Sequence, residues 1–349
     1  MKKTILLTLD YELYGNGSGD VFKHMIEPTN RILEIAQKYN LRLTFFFEIV
    51  EYWKLKKEWE KGNNMGYTQN PVAAIENQLC ISYKAGHDIQ LHIHPQWVDA
   101  VYEDGKWNVN LNDWRLSCYN RIGEYSLLNL FQKGKETIEN LIKPIDPNYE
   151  CIALRAGGYN IQPSYDIVKV MKKTGIYVDS SVYPGGKETG ILSNYDYSSI
   201  PFDIGYWFVS DELEKIGKSE LVELPIVAFP MNRWEKYLSL ERMKSIFQNH
   251  KSAKDTFNAK LGGSIKGKFA LIKYFFEREW QTWDYCLFSP AMHKKFLSLA
   301  QKQKDRNIFV LVGHPKSFVN GKGFEYLLNQ TQCKFNYKTI IEVYKDGFK

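Results

Sequence analysis

The feature that most constrains the fold is an alternation of short apolar runs with helical spacing. Ile5 to Leu9 reads as a buried strand. Pro28 to Asn40 places Ile32, Leu33, Ile35 and Ala36 at helical intervals, and Leu43 to Phe47 is apolar again, its TFFFE run ending at Glu48. The unit then repeats. A helix over Pro71 to Ala85 leads into the strand of GHDIQLHIHPQW, residues 86 to 97, and helices over Tyr125 to Ile142 and Pro163 to Thr174 precede or follow strands at Cys151 to Arg155 and Val178 to Val182. Leu221 to Val227 and Asn307 to Val312 are the last clear strands, a helix is expected from about Gly323, and a short strand near Thr339 to Tyr344 closes the chain. Strand, helix, strand in this order specifies parallel pairing, because a parallel neighbour needs a crossover. The chain of 349 residues reads as one α/β domain, residues 1 to 349.

Polar groups cluster at the C-terminal ends of these strands, where the loops of a parallel barrel converge. The first strand delivers Asp10 and Glu12 on one face, with Tyr11 on the other. In the third, Gln90, His92 and His94 alternate with Leu91 and Ile93, so two imidazoles leave the same face, and Pro95 ends the ladder. Arg155 follows the fourth strand, Asp179 lies on the fifth, and His314 follows the last. A carboxylate and two imidazoles can hold a zinc-like divalent ion with open positions, which suits metal-assisted hydrolysis. Arg155 beside Asp10 would keep that acid ionised, and Asp179 bonded to His314 would favour its imidazolium as a general acid. Backbone N–H groups of the turn Gly157, Gly158, Tyr159 are candidates for an oxyanion site.

Other properties exclude classes. Five scattered cysteines without a CxxC spacing indicate neither a disulfide framework nor a cysteine zinc site, and point to a reducing compartment. MKKTILLTLD is too short for a signal-peptide core, and no run approaches the ~18 apolar residues of a membrane span, so a cytoplasmic protein is expected. A net charge of +6 does not indicate nucleic-acid binding. Arg233 to Arg306 nevertheless holds 16 Lys and Arg against 7 Asp and Glu. That stretch is expected to be a basic, largely helical insertion at about 230 to 306, either a solvated face or a guide for an anionic or lipid-linked glycan.

TLDYE at 8 to 12, GHDIQLHIHPQW at 86 to 97, LRAGGY at 154 to 159, DSSVYPGG at 179 to 186 and LVGHPKSF at 311 to 318 together resemble the five motifs of the NodB-type polysaccharide deacetylases, carbohydrate esterase family 4, in their order. The resemblance spans most of the chain. It implies an irregular (β/α)7 TIM-like barrel and removal of acetyl groups from sugars with a divalent metal, commonly zinc. It further implies Asp10 as base, Arg155 as its orienting partner, Asp179 and His314 as the pair of the last two motifs, and Glu12 and His92 as metal ligands. Two positions depart from the pattern. The usual adjacent acidic pair is here Asp10 and Tyr11, and the second motif histidine, expected at 96, is Gln96. His94 is the substitute ligand, with Gln96 as the other candidate. Tyr159 and Trp97, the latter opening an aromatic loop that runs to Trp114, are the candidate sugar contacts. Two further readings stand beside this one: a barrel metallohydrolase acting on a non-sugar amide, and a catalytically silent glycan-binding homologue.

Overall fold

In a computed structural model, the structure describes residues 2–238, 242–244 and 276–348. The strands are β1 (Thr4–Tyr11), β2 (Thr44–Glu48), β3 (Asp88–Ile93), β4 (Val101–Glu103), β5 (Lys106–Asn108), β6 (Ala153–Ala156), β7 (Val178–Asp179), β8 (Lys187–Thr189) and β9 (Asn194–Asp196). They continue with β10 (Trp207–Phe208), β11 (Val222–Glu223), β12 (Ala228–Asn232), β13 (Arg278–Thr282), β14 (Ile308–Gly313) and β15 (Asn336–Tyr337). The described helices are α1 (Glu27–Lys38), α2 (Ile49–Glu60), α3 (Pro71–Lys84), α4 (Leu127–Ile142), α5 (Tyr165–Thr174), α6 (Pro290–Lys302), α7 (Lys322–Thr331) and α8 (Ile340–Gly347).

The main sheet runs β10, β11, β7, β6, β3, β2, β1, β14, with β15 also on β1. Every pairing in it is parallel except β10 with β11. It curls into a half-barrel. The gap between its ends is bridged by single parallel pairs, Ile226 with Val310 and Asp284 with Val312. Strands β2, β3, β6 and β14 are buried along their whole length, as expected of a parallel sheet with both faces covered. Register sets the site: Glu48 lies opposite His92, His92 opposite Arg155, and Leu9 opposite Gly313, which brings the strand ends to one rim.

One helix is added to the expected elements, and one expectation changes. Helix α2 follows directly on β2, because the Glu48 carboxylate accepts from the Val50 and Glu51 amides and caps it. Thr339 to Tyr344 is not a strand. Thr339 and Glu342 form a reciprocal capping box that starts α8, while β15 lies just before it. Of the expected insertion, residues 239–241 and 245–275 lie outside the described residues; antiparallel β12 and β13 frame them, and from Trp283 the chain pairs with the barrel again. There the Trp283 amide donates to the Val227 carbonyl at 2.8 Å, and the Val312 amide donates to the Trp283 carbonyl at 3.1 Å. Among the described residues no helix is long and apolar enough to cross a membrane.

Candidate active site

Arg155 organises one half of the rim. It is fully buried, and its guanidinium donates to Asp10 Oδ1 at 2.6 Å, Thr8 Oγ1 at 2.7 Å, the Ser180 carbonyl at 2.8 Å and Ser180 Oγ at 2.9 Å. The Phe46 ring lies 4.1 Å from it. A buried guanidinium is tolerable only when paired in this way. Burial by itself would raise the Asp10 carboxyl, but Arg155, His314 and His92 outweigh it and hold Asp10 well below the usual carboxylate range.

His314 sits beyond β14 with its two nitrogens between two acids. Nε2 is 3.4 Å from Asp10 Oδ2, and Nδ1 is 3.0 Å from Asp284 Oδ2. Burial pulls its pKa down, yet the hydrogen bonds and charges of Asp10 and Asp284 push it up to about 10, so the imidazolium is the form at neutral pH. Asp284 is itself fixed, its Oδ1 accepting from the Cys286 and Leu287 amides.

Glu12, His92 and His94 form the other half. Their ligand atoms lie within 4.8 Å of one another, and all three residues are buried. Glu12 Oε2 faces His94 Nε2 at 2.8 Å and His92 Nε2 at 3.7 Å, but neither imidazole Nε2 makes a well-formed hydrogen bond. Glu12 Oε1 instead accepts from Lys316 Nζ at 2.7 Å, and Lys316 also donates to the Leu13 carbonyl. Burial raises the Glu12 carboxyl, and Lys316 with the two imidazoles reverses this to a marked lowering. His92 Nδ1 is 2.7 Å from the Arg155 carbonyl, an acceptor only, so Nδ1 carries a proton, which in the neutral tautomer leaves the lone pair on Nε2. The set fits a divalent ion: one anionic oxygen, with two buried imidazole nitrogens facing it.

Several expected residues take other places. Gln96 does not face Glu12. Its Nε2 lies 2.7 Å from His94 Nδ1 and donates to the Gly15 carbonyl, so it backs His94 and is no ligand candidate. Asp179 does not touch His314. It accepts from the Ser181 amide and hydroxyl at 2.7 and 2.8 Å and shares a hydrogen bond with Glu223, while Asp284 holds the place expected of it. Trp97 is only 1% exposed and packs edge-on against Trp107 in the core. Trp114 is the tryptophan beside the site, its ring 6.0 Å from His94. Tyr159 lies in a turn where both it and Gly158 have positive φ. It lines a cavity of about 220 Å³ together with Asp10, Glu12, His94, Trp114 and His314. Asp284, Lys316 and Trp114 are thus the residues that sequence reasoning missed. Only Lys316 carried a signal, two positions after His314 in the fifth motif.

These features define a half-barrel α/β protein with a Glu-His-His cluster and an acid-base pair sharing one rim cavity. No protein-family model matches the chain, and no curated protein does. Among solved structures it is similar over 99% of its length, and 90% of the other chain, to a Mycobacterium smegmatis protein described as a polysaccharide deacetylase, at 13% identity and TM-score 0.48. It is similar over 98% of its length, and 89% of the other, to the PuuE allantoinase, at 10% identity and TM-score 0.46. The Xyl-CE4 domain of a multidomain xylanase from the hindgut metagenome of Trinervitermes trinervoides matches over 99% and 91%, at 10% identity and TM-score 0.36. At these identities and scores the likeness carries no argument about reaction or substrate.

Proposed function

We propose that the chain is a metal-dependent hydrolase that removes an acetyl group from an N-acetylated sugar or glycan precursor in cell-surface polysaccharide metabolism, acting in the cytoplasm. The observation that carries this reading is one cavity bordered both by Glu12 and His94, of the ligand-type cluster, and by Asp10 and His314, of the acid-base pair. The five-motif order in the sequence supports the same class.

A divalent ion, zinc by the resemblance, would be held by Glu12, His92 and His94 and would polarise the acetyl carbonyl as a Lewis acid. The chain's own groups supply the proton movements. Asp10, kept ionised by Arg155, takes a proton from the attacking water. His314, kept protonated between Asp10 and Asp284, gives its Nε2 proton to the departing sugar amine. The turn at Gly157 to Tyr159 places backbone beside the same cavity, where N–H donors would face the developing oxyanion.

The test combines turnover of acetylated sugars with metal analysis. Asp10→Asn is expected to abolish acetate release while leaving bound metal, and His92→Ala to lose both. Full turnover in Asp10→Asn would remove the base assignment. Release of ammonia or acid from small non-sugar amides, with none from acetylated sugars, would move the reading to an amidohydrolase. A folded preparation that takes up no zinc, cobalt or nickel would leave a glycan-binding protein.

A further inference from the structure

His92 and His94 stand two apart at one rim, yet their far nitrogens are held in opposite ways. His92 Nδ1 meets the Arg155 carbonyl at 2.7 Å, the acceptor that a metal-ligating imidazole needs, since a proton fixed on Nδ1 leaves Nε2 free for an ion. His94 Nδ1 instead meets Gln96 Nε2 at 2.7 Å. The same end of the Gln96 amide lies 3.2 Å from the Gly15 carbonyl, so it must be the NH2 end, because an amide oxygen there would face a second oxygen. Its two hydrogens serve Gly15 and Nδ1 together. A donor aimed at Nδ1 excludes a proton there, so the imidazole carries its proton on Nε2, which faces Glu12 Oε2 at 2.8 Å.

The surroundings leave His94 Nδ1 to this one side chain. The ring lies directly against Gly157, where a Cβ would come within 2.5 Å of Nδ1, and Gln96 is fully buried with its Oε1 lacking a hydrogen-bond partner. That orphan oxygen is the acceptor His94 would need as a ligand. Turning the amide over puts Oε1 on Nδ1, but it also sets Oε1 against the Gly15 carbonyl in place of the NH2 group, so the Gly15 segment has to draw back. Gly15 is packed between this amide and the Trp114 ring, where a Cβ would lie 3.3 Å from Gln96 Nε2 and 2.6 Å from Trp114 Cη2, and it lines the active-site cavity.

We propose that Gln96 is a positioning residue that latches His94 in the Nε2–H form while no ion is bound, and that a divalent ion releases the latch. On ligation through Nε2 that proton passes to water, Nδ1 takes one up from water, and Gln96 turns its oxygen to receive it, so the imidazole stays neutral and the proton count is unchanged. The Gln96–Gly15 hydrogen bond is lost in the exchange, which ties occupancy of the ion site to the cavity wall at Gly15. This inference deepens the metal-dependent reading and rests on it. It also gives the departure at position 96 a role: the glutamine that stands where the resemblance expects a histidine governs the ligand two residues before it.

The full chain, labelled with heavy nitrogen at histidine and glutamine, is followed by NMR without metal and with zinc, and zinc affinity is measured by calorimetric competition with a chelator. Without metal, His92 is expected as the Nδ1–H tautomer and His94 as Nε2–H. With zinc both are expected as Nδ1–H, and the Gln96 side-chain NH2 resonances shift. Gln96→Glu puts an acceptor where the donor was: its metal-free His94 should carry Nδ1–H, and zinc should bind at least about tenfold tighter than to the wild-type chain. Nδ1–H at His94 in the metal-free wild-type chain, a His94 tautomer or Gln96 amide left unchanged by bound zinc, or a folded Gln96→Glu chain with no gain in zinc affinity would each overturn the latch. If Gln96→Glu is misfolded by circular dichroism, the wild-type spectra decide alone. Failure of the metal-dependent reading would look different: neither chain takes up zinc, which removes the ion-driven release while the metal-free tautomers stand.

Discussion

At the scale of single residues, the decisive exchange is Asp284 for Asp179. Both are buried acids near the rim, but only Asp284 meets His314, and its second oxygen is anchored by two backbone amides. Asp179 faces inward to Ser181 and Glu223. Burial raises the carboxyls of Asp179 and Glu223, and the negative charge of Asp179 further raises Glu223, so this pair is a buried unit apart from His314. The two roles separate by mutation. Asp284→Asn is expected to lower kcat by about 10² to 10⁴, because an amide no longer sustains the imidazolium that must donate. Asp179→Asn, at a side chain that meets Ser181 and Glu223 rather than His314, is expected to change kcat by less than about tenfold. Steady-state kinetics on folded variants decides this, and the opposite order would return the acid's partner to Asp179.

At the scale of elements, a residue was legible where a polar group interrupts an apolar strand. Asp10, His92, His94, Arg155 and His314 all stand at the end of such a run, and register then places them at one rim. Asp284 was not legible, because its backbone joins the barrel through a single bridge to Val312 and no periodic pattern surrounds it. Nor could spacing choose between Trp97 and Trp114, since an irregular loop has no face. The C-terminus was misread for a different reason. Ile340, Ile341 and Val343 favour a strand by type, yet the T-x-x-E box of Thr339 and Glu342 starts a helix. The barrel reinforces it: the Ile340 amide donates to Thr44 Oγ1 and the Ile341 amide to Asp88 Oδ2, which satisfies two orphan donors of α8. Thr339→Ala is therefore expected to cost about 1 kcal/mol of unfolding free energy. Urea denaturation checks this, and an unchanged midpoint would mean that the barrel acceptors alone hold the helix.

At the scale of the whole molecule, stability and activity meet where the half-barrel closes. The closing segment carries Asp284 and is held by the Trp283 backbone between Val227 and Val312. The Trp283 side chain is held in turn by α6, its Nε1 donating to His293 Nδ1 at 3.0 Å, with Phe296 packed edge-on against it. His293 is completely buried, and burial lowers its pKa to about 3. The native state therefore needs the neutral imidazole, while the unfolded chain protonates near the ordinary value of 6.5. The sign follows from linkage. The contribution is fully present above pH 6.5 and is lost progressively as the pH falls from 6.5 toward 3, because the unfolded state binds the extra proton. Between pH 7 and pH 5 this one group should remove about 2 kcal/mol of stability. His293→Asn keeps an acceptor for Trp283 without the titration, so its unfolding free energy should be lower at pH 7 but should fall less between pH 7 and pH 5. Urea titrations at both pH values measure the difference, and an equal fall in the two proteins would show that His293 does not couple closure to pH. If it does, acid should release the closing segment, and with it Asp284, ahead of any chemistry at the rim itself.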